Sequence, residues 1–145
     1  MPTLSDQITA IHRFARSFRA KKLSGTELLS PHIQYIIFIC REPGITQEML
    51  VRRLNIGKSN VTRHLGTLEE IGYLYRRPSE ADKRMQLVYP TDKAFSVLPL
   101  CLQIEQDWNQ ALISIFNEKE QKLIDNFMCR LNQQAFETVH ANEEN

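Results

Sequence analysis

This sequence lacks the features that would place a chain in a membrane, a fibre or a disordered class. No apolar run among its 145 residues approaches the ~20 that a membrane-spanning helix needs, and its amino terminus shows no signal-peptide pattern, so we expect a cytoplasmic protein. It holds only five Gly and six Pro, and it contains no internal repeat or low-complexity segment. The simplest prediction is one globular domain over 1–145.

Cysteine and histidine are too few and too scattered to form the sites they usually build. The three cysteines, Cys40, Cys101 and Cys129, lie far apart in apolar helical runs. We expect reduced, packed thiols there, because an odd and dispersed set suits neither a disulfide framework nor a metal site. No two histidines are spaced i, i+4, and no Gly-rich phosphate loop or activated nucleophile is present. We therefore expect no cofactor, no metal and no enzymatic activity.

Net charge is also low, at +1, but positive charge is concentrated in one segment. Residues 51–84 hold eight Lys and Arg against four Asp and Glu, a net +4, which leaves −3 for the remainder of the chain. A polyanion would meet one basic end on an otherwise acidic body. A solvated charged face would give the same excess, so charge alone does not decide between them.

What the sequence does contain is helical periodicity. Apolar residues recur at helical intervals in a first helix over 5–22, with Ser5 as its N-cap. Ser30 and Pro31 predict the start of a second helix. Its apolar run, 33–40, is rich in β-branched residues and taken alone could be a buried strand, but the Ser-Pro start and the following Pro-Gly stop favour a helix.

Two short helices with a tight connection come next. Thr46 is the predicted N-cap of the first, over 46–55, and Gly72 follows the second, over 58–71, at the usual carboxy-terminal cap position. Such a pair is the sequence outline of a helix-turn-helix. A two-stranded hairpin over 73–90 follows directly.

Residues 91–140 are predicted to form two more helices. In the first, apolar residues spaced by three and four continue in phase past Pro99, which should kink the helix without ending it. Asn117 and Glu120 have the spacing of a capping box for the second helix. The first helix, which contains Trp108, has more apolar surface than a small helix-turn-helix region can cover. We therefore expect a second subunit.

The helix over 58–71 has two chemically different faces. At ~100° per residue, Val61, Leu65 and Leu68 share the side that we expect to be buried. The opposite side suits a DNA major groove, because Arg can hold guanine, and Asn adenine, with two hydrogen bonds. The residues of this helix expected to contact DNA are Lys58, Ser59, Asn60, Thr62 and Arg63.

The hairpin tip predicts a second DNA contact, through Asp82, Lys83 and Arg84. A narrow minor groove attracts an inserted Arg, and Asp82 could fix the tip through an ion pair with Arg84; an ordinary charged turn is the alternative. His64 lies nearer the apolar side of its helix, so we interpret it as a boundary packing residue. Gly66 is on the outer side, where it either allows close approach of DNA or is simply tolerated.

These motifs resemble those of the MarR family of bacterial transcription regulators. The resemblance rests on 54–63, on 68–74, and on Arg-Arg-Pro followed by Asp82-x-Arg84, the wing signature of that family. It covers essentially the whole chain and implies a mainly α, α+β fold. In that fold a winged helix-turn-helix core occupies 31–90, and the helices over 5–22 and 91–140 form a dimerisation region.

The resemblance also implies a function. A homodimer would bind a pseudo-palindromic site on double-stranded DNA and act as a repressor, and a small anionic or phenolic effector between the dimerisation region and the winged helix would release it. Gly66 and Thr67 depart from the family pattern, since relatives often carry a charged pair there. The positions of Cys and His also disfavour the peroxide-sensing and zinc-sensing branches. A winged-helix module that binds protein instead of DNA is the alternative reading, and the basic tip argues against it.

Overall fold

The computed structural model describes residues 1–143. Over that range the chain forms, in order, α1 (Leu4–Lys22), α2 (His32–Arg41), β1 (Ile45–Thr46), α3 (Gln47–Leu54), α4 (Lys58–Glu70), β2 (Leu74–Pro78), β3 (Gln86–Pro90), α5 (Asp92–Ile113) and α6 (Glu118–His140). The mainly α, α+β class with a winged helix-turn-helix is confirmed. By its internal contacts the chain divides into two compact units, Met1–Trp108 and Asn109–Asn145.

Helix α2 supplies the largest share of the buried core in the first unit. Seven of its ten residues are buried, which explains the continuous apolar run and confirms a helix in place of a strand. Around it pack side chains from α3, α4, the sheet and α5: Leu50, Val61, Leu65, Leu68, Leu74, Val88, Ala94, Cys101 and Ile104. Each fully buried aliphatic side chain contributes ~1.5–3 kcal/mol to folding. This core fixes the face that α4 turns inward.

The sheet has the strand order β1-β3-β2 and is antiparallel throughout. Its first strand, over Ile45 and Thr46, was missed by the sequence analysis because two residues carry no readable alternation. Ile45 pairs with Val88, which also pairs with Arg76 in β2. Gly44 has φ +87, and a Cβ there would lie 3.3 Å from the Tyr89 ring. The wing is thus joined to the start of α3 by backbone hydrogen bonds and not only by its hairpin.

Two predicted helix starts were wrong. The N-cap of α1 is Thr3, not Ser5: the Thr3 hydroxyl accepts from the Asp6 amide (3.1 Å) and the Asp6 carboxylate accepts from the Thr3 amide (2.8 Å). Thr3 has an acid three residues later, and Ser5 does not, so only Thr3 can form this reciprocal box. These hydrogen bonds also lower the pKa of Asp6. Helix α2 begins at His32, one residue after the predicted start, and Ser30 is not its N-cap.

The residues just before α2 form a turn that is closed by the His32 side chain, and no side chain caps the helix itself. The Leu29 amide donates to Nδ1 of His32 at 3.0 Å, and the His32 amide donates to the Leu29 carbonyl at 2.9 Å. This reciprocal turn, and not a Ser30 cap, precedes the helix. His32 itself is only 1% exposed.

Other predicted helix ends are confirmed. The Thr46 hydroxyl accepts from the Met49 amide at 3.0 Å to cap α3. Gly72 has φ +88 just beyond α4, and Pro99 lies inside a continuous α5. The capping box of Asn117 and Glu120 is present at the start of α6.

The prediction of three packed thiols was wrong for one of them. Cys40 and Cys101 are buried, whereas Cys129 is exposed. The reason is that α6 has no buried residue in the single chain, and Cys129 lies off its apolar stripe. Burial raises the pKa of the Cys40 thiol and raises that of Cys101 to about 11.

Candidate nucleic-acid interface

Helix α4 presents its first two turns to solvent. Its inward side chains, Val61, Leu65 and Leu68, are each 0% exposed, as predicted. The residues of α4 that the sequence analysis assigned to DNA are all exposed: Lys58, Ser59, Asn60, Thr62 and Arg63. They form a polar, solvent-facing surface that includes two cations.

Arg63 is restrained by its neighbours on the same helix. Its Nη2 donates to the Asn60 side-chain oxygen at 3.2 Å and lies 3.5 Å from Nε2 of His64. The His64 ring is half-buried and packs edge-on against His32, with ring centroids 5.4 Å apart, and against Tyr35 at the same distance. His64 is therefore the boundary packing residue that was predicted. It also connects the buried side of α4 to the arginine on its outer side.

This aromatic cluster behind α4 favours neutral histidines. Burial, followed by the positive charges of His64 and Arg63, lowers the pKa of His32 to about 4. Burial and Arg63 lower the pKa of His64 as well. The Tyr35 hydroxyl is buried there without a hydrogen-bond partner among residues 1–143. The support beneath Arg63 is thus largely uncharged at neutral pH.

Thr62 joins the two helices of the helix-turn-helix. Its hydroxyl donates to the Lys58 carbonyl at 2.9 Å and accepts from the Gln47 side-chain amide at 2.7 Å. Gln47 is in the first turn of α3, so this contact brings α3 onto the same exposed surface. Gln47 was not among the predicted site residues. A polar residue directly after the Thr46 N-cap was the available signal.

The wing tip holds Arg84 away from the body of the protein. The Asp82 carboxylate accepts from the Arg84 amide at 3.0 Å and from its Nε at 3.3 Å, which confirms the predicted ion pair. The Met85 amide donates to the Asp82 carbonyl, and the Ser79 amide donates to the Met85 carbonyl. The Arg84 side chain remains 93% exposed. An exposed pair contributes only ~0–1 kcal/mol, so Asp82 orients Arg84 at little cost to its availability.

Some cations of the basic segment are neutralised within the chain. Arg76 donates to Glu69 at 2.8 Å, and Arg53 pairs with Glu42. Arg77 lies over the Tyr75 ring, 5.0 Å from its centroid. Among the described residues, the cations of 51–84 that form no ion pair are Arg52, Lys58, Arg63, Arg77 and Lys83. The available positive charge is therefore concentrated on α4 and the wing.

A groove of about 450 Å³ runs between these two cationic elements. It is lined by Thr46, Gln47, Glu48, Val51, Lys58, Arg84, Met85 and Gln86. Lys58 lines it from α4 and Arg84 from the wing, and residues of the amino-terminal turn of α3 line it as well. A helix amino terminus between two cations favours a phosphate, whereas Glu48 opposes one. Thr46, Gln47 and Gln86 were not among the predicted site residues.

The described residues offer little for other chemistry. No group of three or more His, Cys, Asp or Glu side chains within 1–143 is placed to hold a metal ion. Within the same range, no helix is both long enough and apolar enough to cross a membrane.

Comparisons with known proteins agree with this geometry. The MarR family model matches residues 26–85. An uncharacterized HTH-type transcriptional regulator of Bacillus subtilis (strain 168), YybA, is 25% identical over 125 residues, covering 86% of this chain and 83% of that protein.

Two solved structures extend the comparison to the fold. A MarR transcriptional regulator from Methanosarcina mazei Go1 superposes with a TM-score of 0.84 at 25% identity, covering 93% of this chain and 97% of that one. The fold is shared with MepR of S. aureus, solved as a DNA complex, at a TM-score of 0.87 and 18% identity, covering 92% and 99%. The family-model match, the regulators found as relatives and the shared fold lead to one conclusion: residues 26–85 match the MarR family, and the chain has the winged helix-turn-helix fold of MarR transcription regulators.

Proposed function

We propose that this protein binds double-stranded DNA sequence-specifically as a homodimer and acts as a repressor of transcription. The observation that carries the proposal is the groove between α4 and the wing. It lies between an exposed polar helix and an exposed arginine, and cations border it on both sides. Such a surface can follow a duplex from a major groove, across one phosphate backbone, to the adjacent minor groove. The solved DNA complex of MepR, which shares the fold, supports this reading.

The proposed contacts divide into base reading and backbone positioning. Ser59, Asn60 and Arg63 are exposed on the outer side of α4, where they can reach base edges in the major groove. Lys58 and the first turn of α3 suit a phosphate. Arg84, oriented by Asp82 and flanked by Lys83, suits the minor groove. Thr62 contributes by holding Gln47, since its hydroxyl is already engaged.

The homodimer is supported by exposed apolar side chains in each compact unit. In the first unit, α1 exposes Leu4, Ile8, Ile11 and Phe14, the last of them 67% exposed. In the second unit, α6 exposes Leu123, Phe127, Met128, Phe136 and Val139. Large apolar side chains exposed in such number on two helices are a feature of protein interfaces. A second copy of the chain is the partner that a pseudo-palindromic DNA site requires.

An ion pair between Arg19 and Glu105 lies where we propose that an effector binds. Arg19 donates to Glu105 through Nε (2.6 Å) and Nη2 (3.0 Å), and Gln34 donates to the same carboxylate at 3.1 Å. These residues join α1, α2 and α5, between the proposed dimerisation helices and the winged helix. An anionic or phenolic effector binding there would compete with Glu105 for Arg19. Salicylate is a suitable probe, and loss of DNA binding on its addition is the expected result.

The direct test is DNA binding at stated salt concentration. Duplexes flanking the protein's own gene, or selected from a random library, are titrated and followed by fluorescence anisotropy. Arg63→Ala should relax the preference at one base position by ~1–3 kcal/mol, and Arg84→Ala should weaken binding to all sequences while retaining the preference. Arg16→Ala, on exposed α1, is the matched control. The proposal fails if the wild-type protein binds every duplex equally weakly, which is the result expected of a module that binds protein instead.

A further inference from the structure

The carboxy-terminal end of α4 is joined to the start of α5 by side chains. Gly72, with φ +88, allows its own amide to donate to the Glu69 carbonyl and the Tyr73 amide to donate to the Leu68 carbonyl. This is the pattern of a Schellman motif, and it leaves the carbonyls of Ile71 and Gly72 free. Both accept from α5 and the residue before it: Ile71 from Nζ of Lys93 at 2.7 Å and Gly72 from the hydroxyl of Thr91 at 2.7 Å.

Lys93 also contacts two further segments from this position. Its Nζ donates to the Glu27 carboxylate, in the connection between α1 and α2, at 2.6 Å. It also lies 4.6 Å from the centroid of the Tyr73 ring, just before β2. The hydrogen bond to Glu27 raises the pKa of Lys93, so the ammonium stays charged at neutral pH. One side chain thus connects the α1–α2 connection, the end of α4, the start of the wing and the start of α5.

Because α4 is long, a small rotation of the helix about its carboxy-terminal end displaces its amino-terminal residues. Its 13 residues extend ~20 Å at 1.5 Å per residue, so a rotation of only ~5° about its end moves its start by nearly 2 Å. Base-edge hydrogen bonds form over a much narrower range of distance. The angle between α4 and α5 therefore has to be fixed if Ser59, Asn60 and Arg63 are to form hydrogen bonds with base edges. The contacts of Lys93 lie at the end about which such a rotation would occur.

We propose that Lys93 is a positioning residue for DNA recognition, which sets the angle of α4 against α5 and hence the separation of the two reading helices in the dimer. The inference rests on the proposed function. The proposed role of Lys93 is distinct from a role in stability. The side chains of Lys93 and Glu27 are 44% and 57% exposed, and exposed ion pairs contribute little to folding. Lys93 is accordingly expected to be replaceable without unfolding the protein.

The test measures how strongly binding depends on the spacing of the two half-sites. Once a preferred duplex is found, its central spacer is lengthened and shortened by one base pair, which displaces one half-site by ~3.4 Å and ~35°. We expect the wild-type affinity to fall by about tenfold or more on either change. Lys93→Met should lower the affinity for the preferred spacing and reduce the penalty to about threefold or less, because α4 can then adapt.

Matched variants separate positioning from charge and folding. The spacing profile is the dependence of DNA affinity on spacer length. Lys21→Met removes the same charge from exposed α1 and should leave this profile like that of the wild type. Lys93→Arg keeps hydrogen-bond donors at position 93 and should have a profile close to that of the wild type. Glu27→Gln should flatten the profile partly, and combining it with Lys93→Met should add little, since both act at one cluster. Thermal unfolding of each variant verifies the fold, and Glu27→Gln alone decides the matter if Lys93→Met does not fold.

The possible outcomes separate the two proposals. A flattened profile in Lys93→Met and Glu27→Gln, with Lys21→Met like the wild type, supports the positioning role. An unchanged profile in a protein that binds its preferred duplex tightly overturns it and leaves the proposed function intact. Absence of any preferred duplex for the wild type overturns the proposed function, and the role of Lys93 falls with it.

Discussion

Arg63 occupies its position because the residues on both sides of it restrain the guanidinium. Asn60 accepts from it one turn earlier, and His64, which packs against buried rings, lies beside it. Immobilising a long side chain on binding costs ~0.5–1.5 kcal/mol, and a side chain that is already restrained avoids part of that cost. The helical period predicted which way Arg63 points. The restraint by His64 depends on the packing of α2 against α4, which the sequence does not reveal.

Gly66 has space for a side chain in the free protein. A Cβ at this position would meet nothing within 4 Å, and Ala is favoured over Gly within a helix by about 1 kcal/mol. Gly66→Ala should therefore raise the free energy of unfolding by up to that amount, measured by urea denaturation. If DNA affinity falls in the same variant, close approach of the duplex is the reason for glycine here.

The same substitution at Gly72 should have the opposite effect on the free energy of unfolding. Its φ of +88 disfavours any side chain, so Gly72→Ala should destabilise the protein by ~1 kcal/mol or more. A destabilising Gly66→Ala, or a neutral Gly72→Ala, would contradict this account of the two glycines.

The three cysteines should differ sharply in reactivity. Cys129 is exposed, whereas Cys40 and Cys101 are buried with raised pKa values, and a thiol reacts as its thiolate. The thiol reagent dithiobis(nitrobenzoate) should modify one thiol per chain at neutral pH without denaturant and three in urea. Cys129→Ser should abolish the fast reaction. Rapid modification of a second thiol in the native protein would show that the core around Cys40 and Cys101 opens readily.

At the scale of elements, histidine burial gives α2 and α4 a dependence on pH. The pKa of His32 falls from its ordinary 6.5 to about 4, so the unfolded chain binds more protons than the folded one between those values. Its contribution to stability is complete above pH 6.5 and is lost as the pH falls toward 4. The lowered pKa of His64 acts in the same direction. A difference of this size corresponds to about 3 kcal/mol for His32.

Urea midpoints measured from pH 7.5 to 4 give the test. His32→Asn can keep an acceptor for the Leu29 amide but cannot be protonated, so its stability should fall much less over this range than that of the wild type. His12, which is exposed on α1, gives the control substitution His12→Asn, and this should leave the pH dependence unchanged. If the urea midpoint depends on pH equally in His32→Asn and in the wild type, His32 is not the source of the pH-dependent stability.

Elements were predictable where a long period or a reciprocal cap specified them. The stripe of α4 and the capping box of α6 are properties of contiguous residues, so they are readable in the sequence. Strand β1 is not, because Ile45 and Thr46 become a strand only through pairing with β3. The N-cap of α1 was also readable, because Asp6 follows Thr3 at the spacing of a capping box, but Ser5 was predicted in its place.

The candidate site was predictable to a similar extent. The exposed residues of α4 and the Asp82–Arg84 pair follow from local spacing. The contact of Gln47 with Thr62, the groove and the position of Lys93 against Ile71 join segments distant in sequence. Such contacts depend on tertiary packing, which single-sequence patterns do not specify.

At the scale of the whole molecule, dimerisation is the property on which sequence-specific recognition depends. A single α4 reads only a few base pairs, and two of them at a fixed separation multiply that specificity. The second unit of the chain has no buried residue in α6, and its large apolar side chains are exposed. A helix of this kind is stable only when its apolar side is covered.

Phe127→Glu tests whether a second copy supplies that cover. Phe127 is 49% exposed in the single chain, and a carboxylate placed in an apolar interface would weaken the dimer by ~2 kcal/mol or more, or at least about thirtyfold in its dissociation constant. Sedimentation equilibrium measures the change directly. Lys122→Glu, an exposed position ~140° around the same helix, changes charge by a larger amount and should leave the dimer intact. In DNA titrations Phe127→Glu should bind a full site little better than a half-site, because the two reading helices are then no longer joined. A Phe127→Glu protein that remains dimeric would place the interface on other residues, and the exposed apolar side of α1 would be the next to test.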